Sequence, residues 1–156
     1  MQATAFAHDN EPVVVDATAG QFVAFSCGGT GYCLPIMTVR EIRSWQPTTV
    51  LPGRISSARG VLDIRGTVVE VFDLSKLLGG PPIEPTAGSV VLVLALTDRV
   101  VGILVDAVSD IIQAHPGELM AVPDQRADTG SAGRVSAMIS YQDRLIGILD
   151  LDVMFG

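Results

Sequence analysis

The apolar positions of this chain come in short runs separated by Gly, Pro, Asp or Asn, and within several runs they alternate with polar residues. Alternation with period two predicts strands, because successive side chains of an extended backbone point to opposite faces. Ten strands are predicted: Gln21 to Cys27, Tyr32 to Met37, Val39 to Trp45, Gly60 to Ile64, Val68 to Leu74, Val90 to Leu96, Val100 to Asp106, Ala107 to Ala114, Val135 to Tyr141 and Leu145 to Leu151. Gly28-Gly29-Thr30-Gly31, Arg65-Gly66, Asp98-Arg99 and Gln142-Asp143 each join two such runs with the turn chemistry of antiparallel hairpins. Helix is limited to short pieces: Asp73 or Ser75 can cap a turn through Leu78 that Gly79 stops. The stretch Gly80-Pro81-Pro82-Ile83-Glu84-Pro85 reads as a stiff connector. Residues 1–19 are expected to form a flexible leader that lacks periodicity except for Val13-Val14-Val15.

The chain is also similar to itself. At an offset of 77, GTVVEVFDLSKLLG (Gly66 to Gly79) falls on DRLIGILDLDVMFG (Asp143 to Gly156), matching Asp73 with Asp150, Leu74 with Leu151 and Gly79 with Gly156. At an offset of 69, Phe22 to Ile42 falls on Val91 to Ile111, pairing Val39 with Val108, Glu41 with Asp110 and Ile42 with Ile111. Each half then has about five strands, and five short strands with one buried face close into a small barrel that leaves few open edges. The expected fold is all-β, two small barrels packed together, the first over roughly 20–80 and the second over roughly 88–156, with strand exchange between them left open.

Composition supports strands and narrows the function. Val, Ile and Thr make up 41 of the 156 residues, which is strand rather than helix composition. Ten Lys and Arg against 17 Asp and Glu give a net charge of -7, which opposes binding to nucleic acid. A mean hydropathy of +0.44 suggests a membrane protein, but the greasiest stretch, Val90 to Val105, is broken by Thr97-Asp98-Arg99, and no membrane insertion is expected. The first residues lack a basic segment followed by an apolar one, so the expected compartment is the cytoplasm. Cys27 and Cys33 are spaced to face each other across a hairpin, where a disulfide is conceivable; without an export signal, buried reduced thiols are the expectation. The two histidines, His8 and His115, form no cluster with metal-ligand spacing, and neither a metal nor a cofactor is expected.

Three ordered segments resemble the family of the chemotaxis coupling protein CheW over Gln21 to the C-terminus. Gly60-Val61-Leu62-Asp63-Ile64-Arg65-Gly66 followed by Val68-Val69-Glu70-Val71-Phe72-Asp73-Leu74 is similar to its GV-N-LRG and V-P-V-DL hairpin. Tyr32 through Arg43 is similar to a strand ending in V-x-E-I, and Val101 through Asp110 to a VG-VVD-V-D segment. Asp63 stands where the family has Asn, and Glu70 where it has Pro. The resemblance implies two intertwined five-stranded SH3-like barrels with no catalytic site and no cofactor. It further implies an adaptor that bridges the cytoplasmic tips of chemoreceptors to the regulatory domain of the CheA histidine kinase, recruited to membrane-associated receptor arrays. The alternative within the same family is an adaptor of another chemosensory pathway, such as pilus motility.

Alternation puts Val61, Asp63 and Arg65 on one face of their strand, away from Leu62 and Ile64, and places Glu41 with Val39 and Arg43. By the resemblance, Val39, Glu41, Gly60 and Arg65 face the receptor, with Glu41 and Arg65 paired to shape its groove and Val39 as an apolar contact. Val101, Gly102, Val105 and Asp106 are carried over in the same way as a kinase-facing set. Taken by themselves, Gly60, Gly66, Gly102 and Gly147 read as backbone devices, and Asp106 and Asp110 as turn caps or strand-edge solvation. One enzymatic motif competes: Asp128-Thr129-Gly130-Ser131 spells the active-site string of retropepsin-like aspartic proteases. The polar residues on both sides of it read instead as a loop, and no ATP-binding glycine loop accompanies the strands.

Overall fold

The computed structural model describes residues 20–123 and 134–155. Strands form where alternation predicts them: β1 (Gln21–Cys27), β2 (Thr30–Pro35), β3 (Val39–Ser44), β4 (Ala58–Ile64), β5 (Thr67–Asp73), β6 (Val90–Ala95), β7 (Val100–Val105), β8 (Ala107–Gln113), β10 (Val135–Tyr141) and β11 (Arg144–Leu149). A further strand of two residues, β9 (Leu119–Met120), is too short to carry a period. Three hairpins turn on two residues at positive φ: Gly28-Gly29, Arg65-Gly66 and Gln142-Asp143. That geometry matches the twist of the strands it joins. β2 stops at Pro35, short of the expected Met37, because Ile36–Thr38 forms a single 3-10 turn. β11 stops at Leu149 because the next residues form the helix α2 (Leu151–Phe155).

The strands make two sheets, ordered β8-β1-β2-β11-β10-β9 and β3-β6-β7-β5-β4. Neither sheet is built from one half of the chain. β3, from the first half, pairs with β6, while β8, from the second, pairs with β1; β5 runs parallel to β7, and β11 parallel to β2. The limits near 80 and 88 therefore separate the repeats in sequence, whereas each barrel takes strands from both. The repeat extends to irregular features. The β3–β6 and β1–β8 ladders skip at Arg40 and at Ser109, 69 residues apart. The β4–β5 and β10–β11 ladders skip at Arg59 and at Ser136, 77 apart. Asp73 caps the helix α1 (Leu74–Leu77) by accepting from Lys76 N, and Asp150 accepts from Val153 N in the same way.

Two-sided burial of the central hairpins fixes the packing. On β1 and β2, Phe22, Ala24 and Cys33 face a small core with Ile112, Ile139 and Ile148. Phe25, Cys27 and Leu34 point the other way, into the larger core of Val71, Leu92, Ile103 and Leu104. Full burial of one large aliphatic or aromatic side chain is worth about 1.5–3 kcal/mol, so this seam alone rivals the stability of a small domain. Gly102, in the middle of β7, is required by closeness: a Cβ there would lie 2.9 Å from Val91 Cγ1 and 3.3 Å from Val71 Cγ2.

A buried charge ties β4 to the Pro-rich connector. Asp73 is 1% exposed, and its carboxylate accepts from Arg59 at 2.8 Å, from Ile83 N at 2.8 Å and from Lys76 N at 3.1 Å. Arg59, re-aimed by the bulge at its position, also donates to Ile83 O at 3.1 Å and lies 5.3 Å from the centre of the Trp45 ring. Removing one partner of a buried ion pair leaves the other uncompensated. Asp73→Ala should lower stability by about 2–4 kcal/mol, read as a shift of the urea unfolding midpoint. A loss of less than about 0.5 kcal/mol would show the network to be dispensable.

Cys27 and Cys33 are both free and buried. The two-residue turn pairs Cys27 with Thr30 and Cys33 with Ala24, and the sulfurs enter different cores on opposite faces of the hairpin. The facing arrangement suggested by their spacing is thereby corrected. Burial pushes both thiols up from 9.0 to about 12, helped at Cys27 by Asp106 and Asp73. The unfolded chain can ionise them near 9, so it binds fewer protons than the folded chain between pH 9 and about 12. Their contribution is complete below pH 9 and is lost as pH rises towards about 12. Alkaline titration of stability should fall more steeply in the wild type than in Cys27→Ala/Cys33→Ala, and identical slopes would contradict this.

Candidate functional site

The best-formed polar constellation sits where β3 meets the β4–β5 turn. β3 carries Glu41 one residue after its bulge, and the positive φ of Arg65 in the turn directs that side chain outward. The two meet: Arg65 donates to Glu41 Oε1 at 2.6 Å, and Arg43 donates to Glu41 Oε2 at 2.8 Å. Both carboxylate oxygens are therefore engaged. Arg65 is 75% exposed at its side chain and Glu41 20%, so the pair contributes little to stability and its worth lies in shape and charge. Beside it opens a cleft of about 180 Å³, floored by Ile64, Val69, Val93 and Val100 and flanked by Arg40. Two guanidiniums engage the Glu41 carboxylate and Arg40 flanks the cleft, while Asp63 accepts from Gly66 N at 2.8 Å within the same turn, so cations outnumber the carboxylates here in a chain of net charge -7.

The residues singled out from the sequence divide sharply. Glu41 and Arg65 are brought together as alternation and resemblance suggested, and Val39 is half-buried against the larger core. Gly60 is not part of this cleft. It is buried at the other end of β4, with φ +132°, and a Cβ there would lie 2.4 Å from Thr49 O. Its requirement is backbone proximity across the Thr49–Val61 bridge, the backbone role read for it on its own.

The second set is also largely buried. β7 lies between β6 and β5, with both faces covered, so Val101 and Val105 are 1% and 0% exposed and Gly102 is buried with them. Their side chains are covered in the folded chain. Asp106 alone reaches the surface, where it accepts from Gly28 N at 2.8 Å and so holds the β1–β2 turn. Asp110, on β8, accepts from the Tyr141 hydroxyl, which holds that phenol above its ordinary range, and from Ile111 N at 2.9 Å. Asp128-Thr129-Gly130-Ser131 lies outside the described residues. Among the described residues no group of three or more His, Cys, Asp or Glu could hold a metal ion.

Arg43 as a second partner of Glu41 and Arg40 at the bulge were missed from the sequence. Arg43 was signalled by sharing a face with Glu41, whereas Arg40 was hidden because a bulge interrupts the alternation that faces are read from.

Comparison with known proteins bears on what this site serves. The CheW-like domain family matches residues 21–156. Similar proteins include one named chemotaxis protein CheW from Rhizobium meliloti (strain 1021), 36% identical over 135 residues that cover 86% of each chain. Another of that name, from Bacillus subtilis (strain 168), is 30% identical over 138 residues, covering 88% of this chain and 87% of that one. Among solved structures, the scaffolding protein TtCheW from Thermoanaerobacter tengcongensis superposes with a TM-score of 0.79 at 24% identity, over 87% of this chain and 92% of that one.

Proposed function

Because the chain belongs to the CheW-like domain family across residues 21–156, we propose that it is a non-enzymatic adaptor of bacterial chemotaxis that couples chemoreceptors to the CheA histidine kinase. The observation that carries this reading to particular residues is the Arg43–Glu41–Arg65 cluster. It supplies a shaped, cationic corner on a rigid barrel, suited to recognition rather than chemistry. The cytoplasmic tip of a receptor would bear on Glu41 and Arg65, with Val39 beneath them. The regulatory domain of the kinase would bind elsewhere on the two-barrel body. Contact there falls to exposed side chains, with Val101, Gly102 and Val105 shaping the strand beneath.

Asp73, Asp106 and Asp150 are engaged as caps and Glu41 in ion pairs, which supports a structural and binding role for these carboxylates. No described helix is long and apolar enough to cross a membrane, so the proposed place at the receptor array would come from protein contacts. Co-sedimentation with receptor-containing membranes tests the site. Arg65→Glu and Glu41→Arg should each weaken binding roughly tenfold, because each sets like charges side by side. The double variant restores an opposite-charge pair and should recover much of the loss. Near-normal binding by all three, with unchanged circular dichroism, would remove this cleft from receptor recognition.

A further inference from the structure

The repeat that relates the two barrels also relates two clefts. Each of the eight residues lining the Glu41–Arg65 cleft falls, at an offset of 69 or 77, on a residue lining a cavity in the other barrel. Glu41 falls on Asp110, Arg40 on Ser109 and Arg65 on Gln142, while Val93 and Val100 fall on Ala24 and Gly31. The resemblance includes backbone geometry, since Glu41 and Asp110 each follow a bulge and each contacts the neighbouring hairpin, through Arg65 in one case and Tyr141 in the other. Two features have diverged. Replacement of Val93 and Val100 by Ala24 and Gly31 leaves a larger space, about 460 Å³ against about 180 Å³, that reaches buried Ala24 and Phe25. Replacement of Arg40 and Arg65 by Ser109 and Gln142 removes two positive charges and Arg144 in place of Thr67 adds one, so the charged lining changes from two Arg and one Glu to one Arg and one Asp.

We propose that this second cavity is a docking site for an extended, basic segment of a partner protein, which inserts one aliphatic side chain and presents a Lys or Arg to Asp110. Charge selects that occupant. Among the described residues, Asp110 lines the rim together with Arg144, and two further carboxylates lie just outside it, Asp106 holding the adjoining turn at Gly28 and Asp143 in the β10–β11 turn. Exposed Leu145, 58% accessible, lies on the wall and extends the apolar contact beyond the cavity. The mouth is bordered by Gly29 and Gly31, which carry no side chain to obstruct a backbone lying across it. An acidic segment, suited to the cationic cleft, would meet like charge here. The inference stands on the duplication and the cavity, independently of which partner the Glu41–Arg65 cleft receives.

The test is a nitrogen-15 chemical-shift titration of the full chain with a blocked hexapeptide alternating lysine with leucine or valine, alongside its glutamate counterpart. Shifts should cluster at Gly29, Gly31, Ser109, Asp110 and Leu145, with little change at Arg40 or Arg65, and the glutamate peptide should leave this cavity unshifted. Asp110→Asn removes the rim charge. Gly31→Ala occupies space in the cavity, and its Cβ fits without a clash, its nearest neighbour being Ile146 Cγ1 at 3.5 Å. Each variant should weaken binding about threefold or more, with resonances remote from the cavity unmoved, confirming that it folds. Three results would overturn the proposal: no shifts at the cavity, shifts spread over acidic surface such as Asp98 and Asp152 with both variants binding normally, or equal binding of the glutamate peptide.

Discussion

The β1–β2 and β6–β7 hairpins are each buried on both faces, and the rest of the structure is arranged around that constraint. A hairpin with one face in its own barrel and the other against the neighbouring barrel cannot be exposed without losing two sets of contacts. Phe25, Leu34 and Leu149 belong by pairing to the smaller sheet core's strands, yet they pack into the larger core. The smaller core, built largely from Ile, Ala and Cys33, is poorly equipped to stand alone. Exchange of β3 and β8 between the barrels ties the two halves further. The result is one body whose surfaces keep fixed positions relative to each other, the mechanical requirement of an adaptor that must transmit rather than absorb a partner's movement.

That rigidity gives the bulges their consequence. An inserted residue redirects a side chain, and it does so usefully only if the strand on either side cannot shift to accommodate it. At Arg40 and Ser109 the insertion precedes an acidic residue that then meets a hairpin turn. Duplication thus produced two equivalent corners, and a few substitutions made them chemically different, one smaller and lined by two Arg and one Glu, the other larger and lined by one Arg and one Asp. In a chain of net charge -7, the first of these is the departure from the general field and so the more discriminating towards charge.

Much of this was legible in the sequence because it depends on local patterns. Alternation located the strands, paired Gly and polar residues located the turns, and the match of Asp73 with Asp150 turned out to join two helix caps. The Glu41–Arg65 pair followed from faces and family resemblance. What escaped depends on which elements lie side by side. Alternation and resemblance did not reveal that the run from Val101 to Val105 lies on a strand covered on both sides. Gly60 was legible as a backbone device, but that its neighbour is Thr49 O was not. The separation of Cys27 and Cys33 onto opposite faces follows from the register of a two-residue turn, and the partnership of Arg59 with Asp73 from a bulge plus a connector.

The central claim is that one rigid chain holds a receptor and a kinase at the same time on different surfaces. The most direct measurement is binding of a receptor cytoplasmic tip to the full chain by calorimetry, with and without a saturating concentration of the isolated kinase regulatory domain. The account predicts a ternary complex, with receptor affinity changed less than about tenfold by the second partner, since typical coupling between separate sites spans about 5- to 150-fold and a fixed body sits at or below the lower end. Mutual exclusion of the two partners, or failure of either to bind, would contradict it.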